Sequence, residues 1–330
     1  MIHPKVMRAV RNTTHGGPHA LRLDEVPLPV PANDEVLIRV EAAGVTFPDV
    51  LQTRGDYQLR IPLPFTVGCE FAGVIVGAPA MSPYAVGDRV AAIGPAGAFA
   101  EYAVANEKQV LPLPDSVDFL RAAGMPMNVL TADFAVQQRG NLRAGETVLI
   151  HGAAGGLGVA LIQRAKLAGA RVIAVVSTPA KEVVARGAGA DVVIHPDGFL
   201  QEIRQITSGR GIDMVLDPVG GDRFTDSLRS LAANGRLLVL GFAGRSIPTV
   251  KVNRLLLNNI AVVGVGWGGL MANGRISPHE QWMNLLPEIQ SGRFDPVIGD
   301  VVPFDRALQA IASLDERRAA GKILIQVGTG

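Results

Sequence analysis

The chain of 330 residues contains one cysteine, Cys69. A single thiol excludes an internal disulfide and a thiolate-rich structural zinc site, and it suits a reducing cytosol. An excess of either charge is also missing, since 31 Lys and Arg stand against 30 Asp and Glu. No general electrostatic drive toward nucleic acid or an anionic membrane remains, so any phosphate must be met by a local site. The apolar runs are too short and too broken by glycine to span a bilayer, and the opening Met1-Ile2-His3-Pro4-Lys5 has no apolar signal core. The expectation is a cytoplasmic protein with no nucleic-acid or membrane partner. No Gly-x-Ser-x-Gly elbow supports a serine hydrolase, and no Gly-Lys-Ser/Thr follows a glycine loop to make a mononucleotide P-loop. Repeats and low-complexity linkers are absent as well.

Apolar material is abundant. Hydrophobic residues make up 48% of the chain, with a mean hydropathy of +0.26, enough for two buried cores at this length. In Thr147-Val148-Leu149-Ile150-His151-Gly152-Ala153-Ala154-Gly155-Gly156-Leu157-Gly158 a β-branched run passes directly into a glycine turn and then an apolar-periodic helix. This is the pattern that brings main-chain N–H groups and a helix N-terminus against a dinucleotide pyrophosphate.

Up to about Pro126 the chain reads as short strands punctuated by proline and glycine: Glu35 to Ala42, Gly73 to Val76, Arg89 to Ile93 and Phe99 to Ala103. The expectation is an antiparallel, barrel-like unit. From Thr147 strands and helices alternate, with further strands at Arg171 to Val176, Asp191 to His195, Asp213 to Leu216, Arg236 to Leu240 and Ile260 to Val265. Six such runs joined by helical crossovers predict an α/β fold with a doubly wound parallel sheet. A helix is predicted from Ser277 to Ile289 and a last strand from Ile323 to Val327, the tail returning to the first domain. The domains are then 1–126 with 270–330, and 127–269.

An acidic residue at the end of the second strand of such a sheet bonds the ribose 2′-hydroxyl of NAD and repels a 2′-phosphate. Here that strand ends Val175-Val176-Ser177-Thr178-Pro179-Ala180-Lys181. Hydroxyls and an ammonium without a carboxylate suit the phosphate and point to NADPH. The same hydroxyls also suit a helix cap, and the two roles are compatible.

Four segments extend the case: Ala42-Ala43-Gly44-Val45-Thr46-Phe47-Pro48-Asp49 with Arg54-Gly55-Asp56-Tyr57, then Gly68-Cys69-Glu70-Phe71-Ala72-Gly73, then His151 to Gly158, then Asp213-Met214-Val215-Leu216-Asp217-Pro218-Val219-Gly220-Gly221. In order and spacing they resemble the zinc-free quinone oxidoreductases of the medium-chain dehydrogenase/reductase superfamily, from about residue 6 to the last strand. The resemblance implies a GroES-like catalytic domain, a Rossmann domain, NADPH in the cleft between them, and a homodimer joined through the sixth Rossmann strand. Residue by residue it puts the pyrophosphate turn on Ala154, Gly155, Gly156 and Leu157, and the 2′-phosphate contacts on Ser177, Lys181 and Arg317. It puts Gly241, Phe242, Ala243, Val265, Gly266 and Trp267 along the nicotinamide side, and Thr131 on a cofactor contact at the domain junction.

Three residues depart from the family pattern. Thr46 stands where asparagine is common beside the nicotinamide, Pro196 where a tyrosine often lies near the adenosine phosphate, and Phe242 where a polar residue is frequent, which makes the cleft more apolar. Zinc-dependent relatives place Cys near position 46 and His at 69; Thr46 and Cys69 make a poor zinc site, although Glu70 is retained. His15 and His19 are separated by Gly16-Gly17-Pro18, which prevents a shared helical face. Cys69 reads equally as a small buried hydrophobe or a reactive thiol, and His151 as a packed residue satisfying local main-chain groups. Without metal or nucleophile, the expected reaction is hydride transfer from the nicotinamide to a small-molecule quinone or enone. Tyr57 and Thr46 are the candidate groups facing the acceptor. The alternatives are an enoyl-thioester reductase of the same superfamily and a crystallin-like NADPH-binding protein with little turnover.

Overall fold

The computed structural model describes residues 3–328, so the first two residues of the opening pentapeptide lie outside the described residues. The chain divides into two units: one holds the chain up to Leu130 together with the chain from Gly269 onward, and the other is Thr131–Gly268.

The first unit is built on the ten-residue strand Glu35–Gly44, whose Val36, Ile38 and Ala43 are wholly buried. One edge pairs along its length with Glu70–Gly77. The other edge pairs first with Tyr102–Asn106 and then, past Arg39, with Lys322–Gln326. A strand that changes partner halfway must bend, which gives the sheet its barrel-like curl. Arg89–Ile93 and Val110–Pro112 extend the sheet on one side and Ile298–Pro303 on the other. All of these pairings are antiparallel except Ile298–Pro303 with Lys322–Gln326. A second sheet joins Val6–Asn12, Arg22–Pro27 and Phe65–Thr66.

The strand read at Phe99 to Ala103 lies instead at Tyr102–Asn106. The reason is local: Phe99 N–H bonds the Val67 carbonyl and its own carbonyl takes Val10 N–H, so Phe99 bridges two elements while its ring fills the core. Five strands went unread: Val6–Asn12, Arg22–Pro27 and Ile298–Pro303, whose apolar pattern is interrupted by charged residues, glycine or proline, and Phe65–Thr66 and Val110–Pro112, which are only two and three residues long.

The second unit is a six-stranded parallel sheet in the order Val192–Ile194, Arg171–Val175, Thr147–Ile150, Ile212–Asp217, Leu231–Val239, Ala261–Gly264. The central strands are buried on both faces, which explains their unbroken Val/Ile/Leu character. From Thr147–Ile150 the chain runs outward in one direction and then returns to continue in the other. The order reverses between Thr147–Ile150 and Ile212–Asp217, where open α/β sheets bind ligands at the carboxyl ends of their strands. The fifth strand begins at Leu231, earlier than its apolar run at Arg236: Leu231 pairs with Ile212 before a register shift, and Asn234 has φ 64°. Among the described residues no helix is long and apolar enough to cross a membrane.

Candidate active site

In the parallel-sheet unit, the glycine turn follows Ile150 without a spare residue. Gly152 has φ 59° and its carbonyl takes Gly155 N–H at 3.1 Å, closing the turn. Gly155 caps the helix Gly156–Leu167 with no side-chain hydrogen bond, so the first-turn N–H groups keep no competing side-chain acceptor. A Cβ on Gly155 would meet only the Gly152 carbonyl at 3.6 Å, whereas one on Gly158 would strike Gly152 O and lie 2.6 Å from Ala153 Cα. The two glycines therefore do different work: Gly158 lets the helix press onto the turn, and Gly155 leaves space above it. Ala154 is buried beneath, while Gly156 and Leu157 are half-buried. This arrangement fits a pyrophosphate.

At the tip of the second strand, Ser177 and Thr178 are exposed and Lys181 is half-buried. Thr178, not Ser177, caps the helix Pro179–Gly187, its Oγ1 accepting Lys181 N–H at 3.4 Å. The nearest following carboxylate, Glu182, is taken up by Arg186, whose Nε lies 2.9 Å from it. The sequence at the strand tip thus holds hydroxyls and a lysine with no carboxylate among residues 176–181.

The loop after the fourth strand is fixed by Asp217. Its Oδ1 accepts Val219 N–H at 2.8 Å and Gly220 N–H at 2.9 Å. Pro218 and Val219 then supply carbonyls to Ala243 and Gly244 N–H at 3.1 and 2.7 Å, which locks this loop to Gly241-Phe242-Ala243. Phe242 is 37% exposed at the end of that mesh, and Val265 and Gly266 follow the sixth strand. Trp267 is buried rather than open. His151 lies just past the first strand, and its ring bonds the Ser227 side chain rather than the main-chain groups expected, with Nδ1 left without a partner among the described residues. Ser227 donates to the Arg223 carbonyl at 3.0 Å, so its oxygen accepts from His151 Nε2–H at 2.8 Å. Burial pushes the His151 pKa down, keeping the ring neutral.

In the other unit, Thr46 precedes the helix Phe47–Arg54, and the side chain three residues on folds back to it. Asp49 Oδ2 accepts both the Thr46 N–H and the Thr46 Oγ1–H, each at 2.7 Å. Both side chains are buried and Asp49 Oδ1 has no well-formed hydrogen bond. Burial pushes the Asp49 carboxyl up, against the two Thr46 bonds that pull it down. Cys69 is buried next to them, accepting from Gln52 Nε2 at 3.7 Å. Burial, then the charge of Asp49, drives its thiol well up, so it is a thiol and not a nucleophilic thiolate. Glu70 is wholly buried in an ion pair with Lys322; Lys322 Nζ also donates to the Val45 carbonyl at 2.9 Å and Glu70 Oε2 accepts Met127 N–H at 2.7 Å. Gly44 makes room for the pair, since a Cβ there would lie 2.6 Å from Glu70 Oε1.

Tyr57 is half-buried after that helix, and burial raises its phenol to about 12, with Cys69 and Asp49 adding to the rise. Tyr57, Thr46, Asp49 and Cys69 therefore share one neighbourhood. The Thr46 hydroxyl is engaged with Asp49, which the reading of Thr46 as a group open to the acceptor did not anticipate. Positions 46 and 69 offer a hydroxyl and a neutral thiol, and among the described residues no group of three or more His, Cys, Asp or Glu side chains could hold a metal ion. Thr131 continues the helix Pro126–Asp133, and Arg317, with φ 59°, follows the helix Ala307–Asp315. Asp49, Asp217 and Lys322 were not read as site residues. The signal for Asp49 was its spacing three residues past an N-cap threonine; Lys322 is 252 residues from its partner and carries no local signal.

Two family models match the chain, one described as an alcohol dehydrogenase GroES-like domain over residues 32–115 and one as a zinc-binding dehydrogenase over residues 156–291. "Quinone oxidoreductase-like protein 2" of Bos taurus is 35% identical, over 93% of this chain and 89% of the relative. The crystal structure of a probable oxidoreductase from Mycobacterium abscessus is 39% identical, with a TM-score of 0.89 over 98% of this chain and 100% of that one. A mycobacterial protein solved in complex with NADPH is 32% identical, with a TM-score of 0.89 over 97% and 100% of the two chains.

Proposed function

Because the chain belongs to the quinone oxidoreductase family of the medium-chain dehydrogenase/reductase superfamily, and is thus an oxidoreductase with a nicotinamide cofactor, we propose that it is a zinc-independent NADPH reductase of quinones or α,β-unsaturated carbonyls. The observation that carries the choice of cofactor is the sequence at the second strand's tip, where residues 176–181 include Ser177 and Lys181 but no Asp or Glu. The family resemblance assigns Arg317 to the 2′-phosphate as well, and Ala154 to Leu157 hold the pyrophosphate. Thr131, Gly241 to Ala243 and Val265 to Trp267 lie along the nicotinamide. A relative solved with NADPH supports the same reading. Zinc independence rests on Thr46, which offers only a neutral hydroxyl, and on Glu70, which is committed to Lys322, so that Cys69 alone is too few ligands for zinc.

When bound, the reduced nicotinamide supplies a hydride. The chain's task is to exclude water, orient the acceptor and meet the negative charge that develops on its oxygen. Tyr57, neutral at every pH below about 12, donates a hydrogen bond to that oxygen, and Thr46 faces the acceptor beside it. An enone needs this bond more than a quinone, whose oxygens are protonated after the electrons arrive. Tyr57→Phe should therefore lower turnover of an enone by roughly 10²- to 10³-fold and leave quinone turnover nearly unchanged; steady-state assays with both acceptors check it, and equal rates with the enone remove Tyr57 from the role. The reading as a whole is tested by NADPH oxidation with a quinone, an enone and a crotonyl thioester. Fast turnover of the thioester alone favours the enoyl-thioester reductase, and tight NADPH binding with no turnover favours the crystallin-like alternative.

The same proposal includes a homodimer through the sixth strand. Ala261–Gly264 forms the end of its sheet with one edge unpaired, and Ile247, Val252, Leu256 and Leu257 nearby in sequence are 74–82% exposed. An open strand edge beside exposed aliphatic side chains is a self-association surface. Leu256→Asp combined with Leu257→Asp should give a monomer by sedimentation velocity; an unchanged sedimentation coefficient rejects this interface.

A further inference from the structure

We infer that Asp49 holds the proton that Thr46 passes to the reduced acceptor, so that the buried pair is a proton relay as well as a helix cap. The inference rests on the proposed reading that Thr46 faces the acceptor. Asp49 is completely buried. Among the described residues it forms no ion pair: the nearest ammonium in its surroundings, that of Lys322, is committed to Glu70 and the Val45 carbonyl. Its Oδ1 has no well-formed hydrogen bond, with only the weak donor of the Cys69 thiol beside the carboxyl. A carboxylate in such a place has neither a countercharge nor a full set of hydrogen bonds, and a neutral carboxyl removes most of that penalty.

The geometry accommodates the neutral form without movement. An O···O separation of 2.7 Å between Asp49 Oδ2 and Thr46 Oγ1 serves a hydrogen bond in either direction. With Oδ2 protonated, Asp49 donates to Thr46 Oγ1 and still accepts Thr46 N–H at 2.7 Å. The threonine hydroxyl hydrogen is then released from Asp49 and turns to the acceptor. Every other titratable group around Asp49 is accounted for: the Cys69 thiol is neutral, Tyr57 is neutral, and Glu70 and Lys322 face each other.

The step balances as one hydride and one proton per turnover. Once the acceptor has taken the hydride, Thr46 breaks its Oγ1–H bond and gives that proton to the anionic oxygen. Asp49 breaks its Oδ2–H bond and restores the threonine hydroxyl. The carboxylate left on Asp49 regains its proton by the reverse path, from solvent through the Thr46 hydroxyl, after the product has left.

The sign of the pH dependence follows from the raised carboxyl. The loaded form exists below the folded-state pKa and is lost as pH rises through it, so turnover falls on the alkaline side. Two readouts test the relay. The infrared spectrum of the wild-type protein at neutral pH should show the carbonyl stretch of a protonated carboxyl that Asp49→Asn lacks; a carboxylate at Asp49 overturns the inference. In steady state with saturating NADPH and an enone as acceptor, Asp49→Asn and Thr46→Val should each lose roughly 10²-fold in kcat, Asp49→Asn should lose the alkaline limb, and Thr46→Ser should restore both rate and limb. Should Asp49→Asn fail to fold, the threonine pair decides alone. Full turnover by Thr46→Val overturns the relay while leaving the reductase intact, whereas a wild-type enzyme that oxidises NADPH with no acceptor brings down the proposed function itself.

Discussion

Lys322→Met should lower the melting temperature by roughly 6–20 °C, the larger shift appearing at higher pH. Breaking a buried ion pair by removing one partner costs about 3–5 kcal/mol, and each kcal/mol moves a domain of this size by about 2–4 °C. Lys322 is 3% exposed at its side chain and Glu70 0%. The pair also ties the last strand to Val45 and, through Met127 N–H, to the helix Pro126–Asp133. In the variant Glu70 loses the ammonium that opposes its burial, so its carboxyl, already pushed up by desolvation, rises further. A raised folded-state pKa gives stability that is present at low pH and lost as pH climbs through it. The gap from wild type should therefore widen as pH rises from the ordinary carboxylate range through neutrality. Differential scanning calorimetry across that range checks both the size and the trend; a gap that narrows with pH would show that Glu70 is not the group left unpaired. Replacing both partners by apolar residues should recover much of the loss.

Gly158→Ala should weaken NADPH binding by roughly tenfold to a hundredfold while the rest of the sheet stays folded. The added methyl has nowhere to go: it meets the Gly152 carbonyl and lies 2.6 Å from both the carbonyl carbon and the Cα of Ala153, and all of these are backbone. Relief requires the helix Gly156–Leu167 to lift off the turn, at a strain of about 1–3 kcal/mol. The N–H groups that receive the pyrophosphate move with it. Gly155→Ala is the matched control, since its Cβ meets only one atom, at 3.6 Å; it should leave the fold and its melting temperature unchanged. Titration of NADPH by its fluorescence, with circular dichroism as the folding check, separates the two. Equal affinities for Gly158→Ala and wild type would mean that helix–turn contact does not set the cofactor site.

What could be read in advance divides by the range of the interactions. The turn at Gly152 to Gly158 and the strands around it are local: β-branched runs, a glycine that must take φ 59°, and a helix that starts at once. Arg89–Ile93 falls on the residues its composition suggested. Ile298–Pro303 was hidden because Gly299 and Asp300 break the apolar alternation and its partner strand begins only at Lys322. The Glu70–Lys322 pair was invisible for the same reason, being a contact between distant segments. Asp49 was visible as a residue but not as a role, because what distinguishes it is an oxygen without a well-formed hydrogen bond, which only packing reveals.

The central claim is that a phosphorylated adenosine ribose binds at Ser177 and Lys181, and isothermal titration calorimetry with NADPH and NADH on wild type and Lys181→Ala tests it most directly. Charge-assisted bonds to the 2′-phosphate are worth about 1.5–3 kcal/mol each, so NADPH should bind the wild type roughly 10- to 100-fold more tightly than NADH, and Lys181→Ala should erase most of that difference without weakening NADH. Tighter binding of NADH, or an undiminished preference for NADPH in Lys181→Ala, would contradict the assignment of that corner.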